Sequence, residues 1–122
     1  MTQAISATLS RWSELPAEQL SPTTSRRYLS TGRVTIARFE LKRGGVVARH
    51  SHENEQITSV LSGSLKFKFG GQEVVVAAGE VLQIPSWLEH EVDVLEDTVA
   101  IDVFSPVRQD WIDKRDDYLR AR

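Results

Sequence analysis

Apolar and polar residues alternate along most of this chain, which is the pattern of β-strands with one buried face. From about Arg26 onward, short runs such as RVTIARFEL, SLKFKF and TVAIDVF place an apolar residue at every second position. Glycines interrupt these runs, and the pair in KFGGQE is typical of a two-residue hairpin turn. Regularly spaced short strands separated by glycine turns indicate an antiparallel sandwich or barrel. We therefore expect an all-β unit over residues 26–105.

The two ends of the chain show different patterns. Residues 1–25 mix polar, small and proline residues without a lasting period, apart from a possible turn of helix at Pro16–Leu20. We expect this extension to pack on the barrel or at a dimer interface. After Pro106 the apolar spacing changes to three or four, which predicts a short C-terminal helix within residues 106–122. The residues that would place this helix on the sheet are Trp111 and Tyr118.

The composition narrows the classes of function. At 122 residues the chain has the length of one domain. Its net charge is -2, whereas domains that bind nucleic acid usually carry a net positive charge. It has no cysteine, so only oxygen and imidazole groups are available as metal ligands. No segment approaches the roughly 20 apolar residues of a membrane span, and no secretory signal opens the sequence. A cytoplasmic protein that binds neither nucleic acid nor membrane is the expectation.

Two of the three histidines lie close together in the segment HSHENEQ. His50, His52 and Gln56 all have even numbers, so one extended strand would point the three side chains toward the same face. A loop at Ser51–Glu55 would break this register. Taken alone, such a pair of histidines is more often a solvated surface feature than a metal site.

The third histidine, His90, follows Pro85 and a turn, and opens the next expected strand. All three histidines thus lie beside turns at strand ends. Three neutral imidazoles and one amide or carboxylate oxygen would leave open positions on a divalent transition metal such as Ni, Zn, Mn or Fe.

The glycines that frame these histidines carry a resemblance to a known family. The spacing from Gly44 through the His-x-His pair to Gly63 resembles the first cupin motif, and the spacing from Gly79 to His90 resembles the second. The resemblance implies a cupin double-stranded β-helix, which is a jelly-roll β-barrel. It also implies one metal held by His50, His52, Gln56 and His90.

The sequence departs from the usual cupin motifs at several positions. Gln56 replaces the usual glutamate ligand, which removes a negative charge and should weaken metal binding. Trp87 stands where a glycine is usual, and Val94 replaces the usual asparagine.

A narrower resemblance covers Leu95–Ile112, LEDTVAIDVFSPVRQDWI, which is similar to the end of the pectin-degradation (KdgF-type) cupins. Those proteins open the ring of 4,5-unsaturated monouronates to give linear keto-uronates. The resemblance implies the same metal-dependent activity here, with a sugar acid as substrate. It also places Asp102, Phe104 and Arg108 at the substrate site.

The residues themselves allow more than one interpretation. Asp102 shares a strand face with Phe104, and an inward orientation would raise the pKa of its carboxyl and suit it to proton transfer. It could instead pair with a basic neighbour or lie at a solvent-facing edge. Arg108 has the planar fork that binds carboxylates, but it could also be a surface residue paired with Asp110. Phe104 could equally be core.

Two other functions remain open at this stage. The chain could be an iron-dependent cupin dioxygenase, or a non-catalytic cupin that holds a small ligand. In each case we expect a homodimer, because the second face of the last strand would leave three apolar side chains to be covered: Val99, Ile101 and Val103.

Overall fold

Ten β-strands are present among residues 6–120, the part of the chain that the computed structural model describes. They are β1 (Glu18–Ser21), β2 (Thr24–Ser30), β3 (Thr35–Leu41), β4 (Val46–His50), β5 (Glu55–Ser62), β6 (Ser64–Phe69), β7 (Gln72–Ala77), β8 (Val81–Ile84), β9 (His90–Val94) and β10 (Thr98–Ser105). One short α-helix, α1 (Gln109–Ile112), follows the last strand.

The strands form two antiparallel sheets that face each other. The larger sheet has the order β1-β2-β3-β10-β5-β8, and the smaller has the order β4-β9-β6-β7. The chain therefore crosses between sheets at β3–β4, β4–β5, β5–β6, β7–β8, β8–β9 and β9–β10. This is a jelly roll, and the expected all-β cupin fold with a short C-terminal helix is confirmed.

The core lies between the two sheets and results from the alternation of side chains along each strand. In β5, Val60 is buried among apolar neighbours, whereas Ile57 and Leu61 on the opposite face are largely exposed. On the inward face, Val60 is followed toward the start of the strand by Thr58 and then Gln56. The barrel interior is therefore apolar in its middle and polar at the end where β5 begins.

Glycine is required at the turn between β5 and β6. Gly63 has a φ of +85°, and a Cβ at this position would lie 2.2 Å from the carbonyl oxygen of Asp97. No other residue fits there without moving the backbone. The tight turn brings Ser64 back beside the last residues of the β9–β10 connection.

The N-terminal part differs from the sequence expectation in one respect. The turn of helix expected at Pro16–Leu20 is wrong, because Glu18–Ser21 forms strand β1, which pairs with β2 and buries Leu20. A short 3-10 helix lies earlier, at Trp12–Glu14. Residues 1–5 of the expected extension lie outside the described part of the chain.

The C-terminal part contains less helix than its apolar spacing suggests. Helix α1 has four residues, the chain turns at Lys114 with a φ of 57°, and a 3-10 helix follows at Asp117–Leu119. Trp111 packs on the core as expected. In the described range, no helix is both long and apolar enough to cross a membrane.

Candidate functional site

The three histidines meet at the polar end of the barrel. His50 ends β4 and is the register partner of His90, which begins β9. His52 lies in the loop between β4 and β5. The ring centroids of His50 and His90 are 4.4 Å apart, and His52 lies 5.2 Å from His90 and 5.5 Å from His50.

His50, His52 and Gln56 come together for a different reason from the one predicted, which was alternation along a single strand. Residues 51–54 are a loop, so His50 and Gln56 belong to strands in different sheets and do not alternate along one strand. The loop crosses from the smaller sheet to the larger one. It therefore directs side chains from both sheets into the space between them.

A backbone carbonyl fixes the tautomer of each histidine. The Nδ1 atoms of His50, His52 and His90 lie 2.7, 3.0 and 2.8 Å from the carbonyl oxygens of residues 48, 54 and 88. A carbonyl only accepts, so each Nδ1 carries the proton and each Nε2 presents its lone pair. This is the arrangement that orients metal-binding histidines.

Burial keeps the three imidazoles neutral. Loss of solvation lowers the pKa of His50 to about 3 and that of His52 to about 4, and it also lowers the pKa of His90. A neutral imidazole is the form that binds a metal. One ring nitrogen from each histidine lies within 4.8 Å of the others, so the three could hold one metal ion.

Gln56 provides an independent test of whether this site suits a cation. Its Nε2 donates to the hydroxyl of Thr58 at 2.9 Å, so its Oε1 is turned toward His52. This Oε1 lies 3.2 Å from Nε2 of His52, and both atoms are acceptors because the proton of His52 is on Nδ1. Two lone pairs thus face each other without a proton between them. A divalent cation with nitrogen and oxygen ligands fits this donor set.

A cavity between the two sheets opens beside His50 and His90. Its polar lining is formed by Thr24, His50, Gln56, Thr58, His90, Asp102 and Arg108. Apolar side chains of both sheets, including Val47, Phe67 and Val92, line the remainder. The cavity therefore combines three of the four candidate metal ligands with an acidic and a basic side chain.

The carboxyl group of Asp102 is buried in this cavity. Its Oδ2 lies 3.5 Å from Nε2 of Gln56, and its Oδ1 has no hydrogen-bond partner among residues 6–120. Burial is the largest influence and raises the pKa of Asp102 to about 7. The side chain thus faces the interior, and the alternatives of a basic partner or a solvent-facing edge do not apply.

Arg108 forms the pair with Asp110 that one interpretation expected, but it does so inside the protein. It forms a two-pronged ion pair with Asp110, from Nε to Oδ1 at 3.0 Å and from Nη2 to Oδ2 at 2.8 Å. It is nevertheless 2% exposed and lines the cavity, so it is not a surface residue. Phe104 is also buried and also lines the cavity, with its ring 5.8 Å from that of His52.

Tyr118 lies at the site although its helical spacing predicted a packing role only. Its ring centroid is 5.0 Å from that of His50, and its hydroxyl contacts Arg108 and Asp110. This position depends on how the segment after α1 folds back over the barrel. No local sequence pattern reports that return.

Comparison with known proteins places this geometry in a family. The sequence matches the model of the cupin domain over residues 37–104. No curated protein matches the chain significantly.

Several solved structures are similar to this chain. KdgF from Halomonas sp. is 27% identical, with 81% of this chain and 94% of that one covered and a TM-score of 0.75. An RmlC-like cupin from Shewanella frigidimarina is 22% identical, with 87% and 96% covered and a TM-score of 0.79. The polyketide cyclase RemF from Streptomyces resistomycificus is 24% identical, with 83% and 80% covered and a TM-score of 0.68. The last two likenesses concern the fold alone.

The glycine-framed histidine motifs, the jelly roll and the matched domain agree, and we conclude that this chain belongs to the cupin family and resembles KdgF.

Proposed function

We propose that this protein is a metal-dependent enzyme that opens the ring of 4,5-unsaturated monouronates and gives linear keto-uronates. One observation carries the proposal. The cluster of three neutral imidazoles adjoins a cavity that His50 and His90 line together with Gln56, the buried carboxyl of Asp102 and the buried guanidinium of Arg108.

The substrate class follows from the charges of these groups. A monouronate carries one carboxylate, which the guanidinium of Arg108 would bind through hydrogen bonds. The ring of Phe104 lies beneath that guanidinium, 4.6 Å from its carbon atom, and would form a wall of the same pocket. The likeness to KdgF and the matching segment Leu95–Ile112 support the same class.

The reaction needs one proton to be moved and no electrons to be exchanged. Removal of the proton from the hemiacetal hydroxyl at C1 breaks the bond between C1 and the ring oxygen, and C1 becomes an aldehyde. The electron pair of the broken bond stays on the ring oxygen, which becomes the oxygen of an enolate conjugated with the carboxylate. Protonation at C4 then gives the ketone at C5.

Asp102 is the residue we propose for this proton transfer. Its carboxyl group lies in the cavity, and its Oδ1 is free of hydrogen bonds within the described residues. That oxygen can take the proton from the hydroxyl and return it to carbon, because the reaction as a whole neither gains nor loses a proton.

The metal would be held by His50, His52, His90 and Gln56, a ligand set without negative charge. A divalent ion bound there would supply Lewis-acid stabilisation of negative charge on a substrate oxygen. Burial holds the three imidazoles neutral for this purpose, and the carbonyl bonds to their Nδ1 atoms keep the rings oriented.

The test begins with metal analysis of the purified protein. Wild type and Asp102→Asn are then incubated with unsaturated monouronate prepared with a pectate or alginate lyase, and loss of the conjugated double bond is followed by ultraviolet absorbance. We expect a bound divalent metal in both proteins. We expect the rate in Asp102→Asn to fall by at least about a hundredfold, within the usual contribution of a general acid–base.

Asp93→Asn is the matched control, because Asp93 also lies on a strand but pairs with Lys68 at the surface. It should retain the wild-type rate. A protein without metal, or decay of the monouronate at the same rate with and without enzyme, would contradict the proposed function.

A further inference from the structure

The guanidinium of Arg108 has most of its donors occupied within the protein. An arginine side chain offers five N–H donors, one on Nε and two on each terminal nitrogen. Nε donates to Oδ1 of Asp110, and Nη2 donates both to Oδ2 of Asp110 and to the hydroxyl of Tyr118. No residue in the range 6–120 accepts from Nη1. The two N–H groups of Nη1 are therefore the donors that remain for a ligand.

Two aromatic rings pack against the same guanidinium. Its carbon atom lies 4.6 Å from the ring centroid of Phe104 and 4.4 Å from that of Trp111. The backbone N–H of Arg108 donates to the hydroxyl of Thr35 at 3.0 Å. The two ring centroids are only 5.1 Å apart, so both rings lie on one side of the guanidinium. Asp110 and Tyr118 take the Nε and Nη2 donors, which leaves Nη1 without a protein acceptor in the described range.

Asp110 and Tyr118 are themselves held together. The hydroxyl of Tyr118 donates to Oδ2 of Asp110 at 3.0 Å, so the carboxylate has a second donor besides Arg108. The ion pair with Arg108 lowers the pKa of Asp110 against the opposing effect of burial, which favours the ionised partner that Arg108 requires. Because Tyr118 also packs on His50, this pair connects the guanidinium to the candidate metal ligands.

A second carboxyl group is available to Arg108 if this arrangement is lost. Asp102 lines the same cavity, and its Oδ1 lacks a hydrogen-bond partner among the described residues. A buried guanidinium without a carboxylate is unfavourable, so Arg108 released from Asp110 would turn toward Asp102. That rotation would remove the anion-binding edge and the free carboxyl oxygen together.

We propose that Asp110 and Tyr118 are positioning residues, which hold Arg108 away from Asp102 and leave only its Nη1 edge for the acidic group of the substrate. The inference rests on the proposed function in taking Arg108 as the anion-binding group. It adds that the substrate carboxylate is bound through one guanidinium nitrogen, since Asp110 and Tyr118 occupy the Nε and Nη2 donors.

The test uses the full-length protein with Asp110→Asn and Tyr118→Phe, and Asp113→Asn as the control. Asp113 lies in the same segment but forms an exposed pair with Arg115. Crystal structures show where the guanidinium of Arg108 lies in each protein. Calorimetric titration with sodium D-glucuronate, a saturated monouronate that lacks the C4–C5 double bond and cannot be converted to the keto-uronate, measures binding of the anion.

In Asp110→Asn we expect the guanidinium to turn toward Asp102 and the dissociation constant for D-glucuronate to rise at least tenfold, as for the loss of an orienting partner. Tyr118→Phe keeps the ring on His50, so it should show a smaller rise with unchanged metal content. Asp113→Asn should bind as the wild type does. These results together would support the positioning role.

Two results would overturn the inference. An unmoved guanidinium in Asp110→Asn would show that Asp110 does not position it, and tighter binding of D-glucuronate would show that Asp110 competes with the ligand. Failure of the wild type to bind D-glucuronate contradicts Arg108 as the anion site of the proposed function. The crystal structures still decide the positioning role in that case, so the two failures are distinguishable.

Discussion

The backbone of Trp87 adopts a left-handed conformation, with a φ of 66°, at the position where the cupin motif usually has glycine. For a residue with a Cβ, this conformation costs roughly 1–2 kcal/mol. The side chain is 66% exposed, so its packing offsets little of this cost. The backbone N–H of Trp87 donates to the carbonyl oxygen of His52 at 2.8 Å. The strained residue therefore helps to hold the loop that carries a candidate metal ligand.

Substitution of Trp87 can separate the backbone strain from the effect of the indole ring. Trp87→Gly removes both, whereas Trp87→Ala removes the ring and keeps the Cβ. After the greater flexibility of glycine in the unfolded chain is allowed for, we expect Trp87→Gly to be the more stable of the two by about 0.5–1 kcal/mol. Urea denaturation of both variants measures this difference in the free energy of unfolding. Equal stabilities would mean that the conformation at this position carries no net strain.

At the scale of single residues, the sequence located the candidate site better than it described the contacts within it. His50, His52, Gln56 and His90 could be selected because their spacing from framing glycines is a local property of the sequence. The position of Tyr118 could not, since it depends on a C-terminal segment that returns over the barrel, whereas the pair of Arg108 with Asp110 joins residues two positions apart. The inward orientation of Asp102 was open in the sequence, because alternation along β10 gives two faces without saying which faces the core.

Among the elements, the segment after α1 differs most from the structure that its apolar spacing predicts. Its helical period placed Trp111 and Tyr118 correctly near the barrel, yet the helix ends after four residues. Asp116 is buried and forms an ion pair with Arg26 at 2.8 Å. These two residues are 90 positions apart, so no window of the sequence reveals the pair. The segment is held by charges as well as by apolar packing.

We expect Asp116→Asn to destabilise the protein by about 3 kcal/mol, at the lower end of the range for removing one partner of a buried ion pair. Arg26 is 1% exposed and, among residues 6–120, would keep only Glu18 as a carboxylate partner, at 2.9 Å. The measurement is the midpoint of urea denaturation for Asp116→Asn and for the wild type, with the slope checked for two-state behaviour.

Asp113→Asn serves as the control for this prediction too. The ion pair of Asp113 with Arg115 is exposed, and exposed pairs contribute roughly 0–1 kcal/mol. A loss in Asp116→Asn no larger than the loss in Asp113→Asn would mean that the buried pair does not hold the C-terminal segment.

At the scale of the whole molecule, the outer face of the larger sheet carries an unusual amount of apolar surface. Cross-strand partners place Ile57 beside Val103 and Val103 beside Ile36 on this face. Ile57, Leu61 and Val81 are 46%, 55% and 60% exposed. Apolar strand residues without a covering layer are typical of a protein interface. The apolar outer surface that Val99, Ile101 and Val103 of β10 predicted therefore continues onto the neighbouring strands.

The size of this face is sufficient for a dimer. The six strands are four to eight residues long and about 4.8 Å apart, so they present a face of roughly 600 Å². Interfaces of standard size bury roughly 600–1,000 Å² on each partner, so this face lies at the lower end of that range. A second copy of the chain offers the same apolar face, and a twofold interface requires such a self-complementary surface. We therefore propose a homodimer formed through the larger sheets.

Light scattering coupled to gel filtration should give the wild type a mass twice the 13.7 kDa of one chain. Ile57→Glu places a charge in the middle of the proposed interface and should shift the protein to a monomer. The free-energy cost of burying two unpaired carboxylates exceeds the stabilisation from burying the apolar surface. Val75→Glu is the matched control, since Val75 is 51% exposed but lies on β7 in the other sheet, and it should leave the dimer intact. A monomeric wild type, or an Ile57→Glu protein that remains dimeric, would contradict this interface. The polar end of the barrel lies between the sheets and not on their outer faces, so the metal content of the monomeric variant should equal that of the wild type.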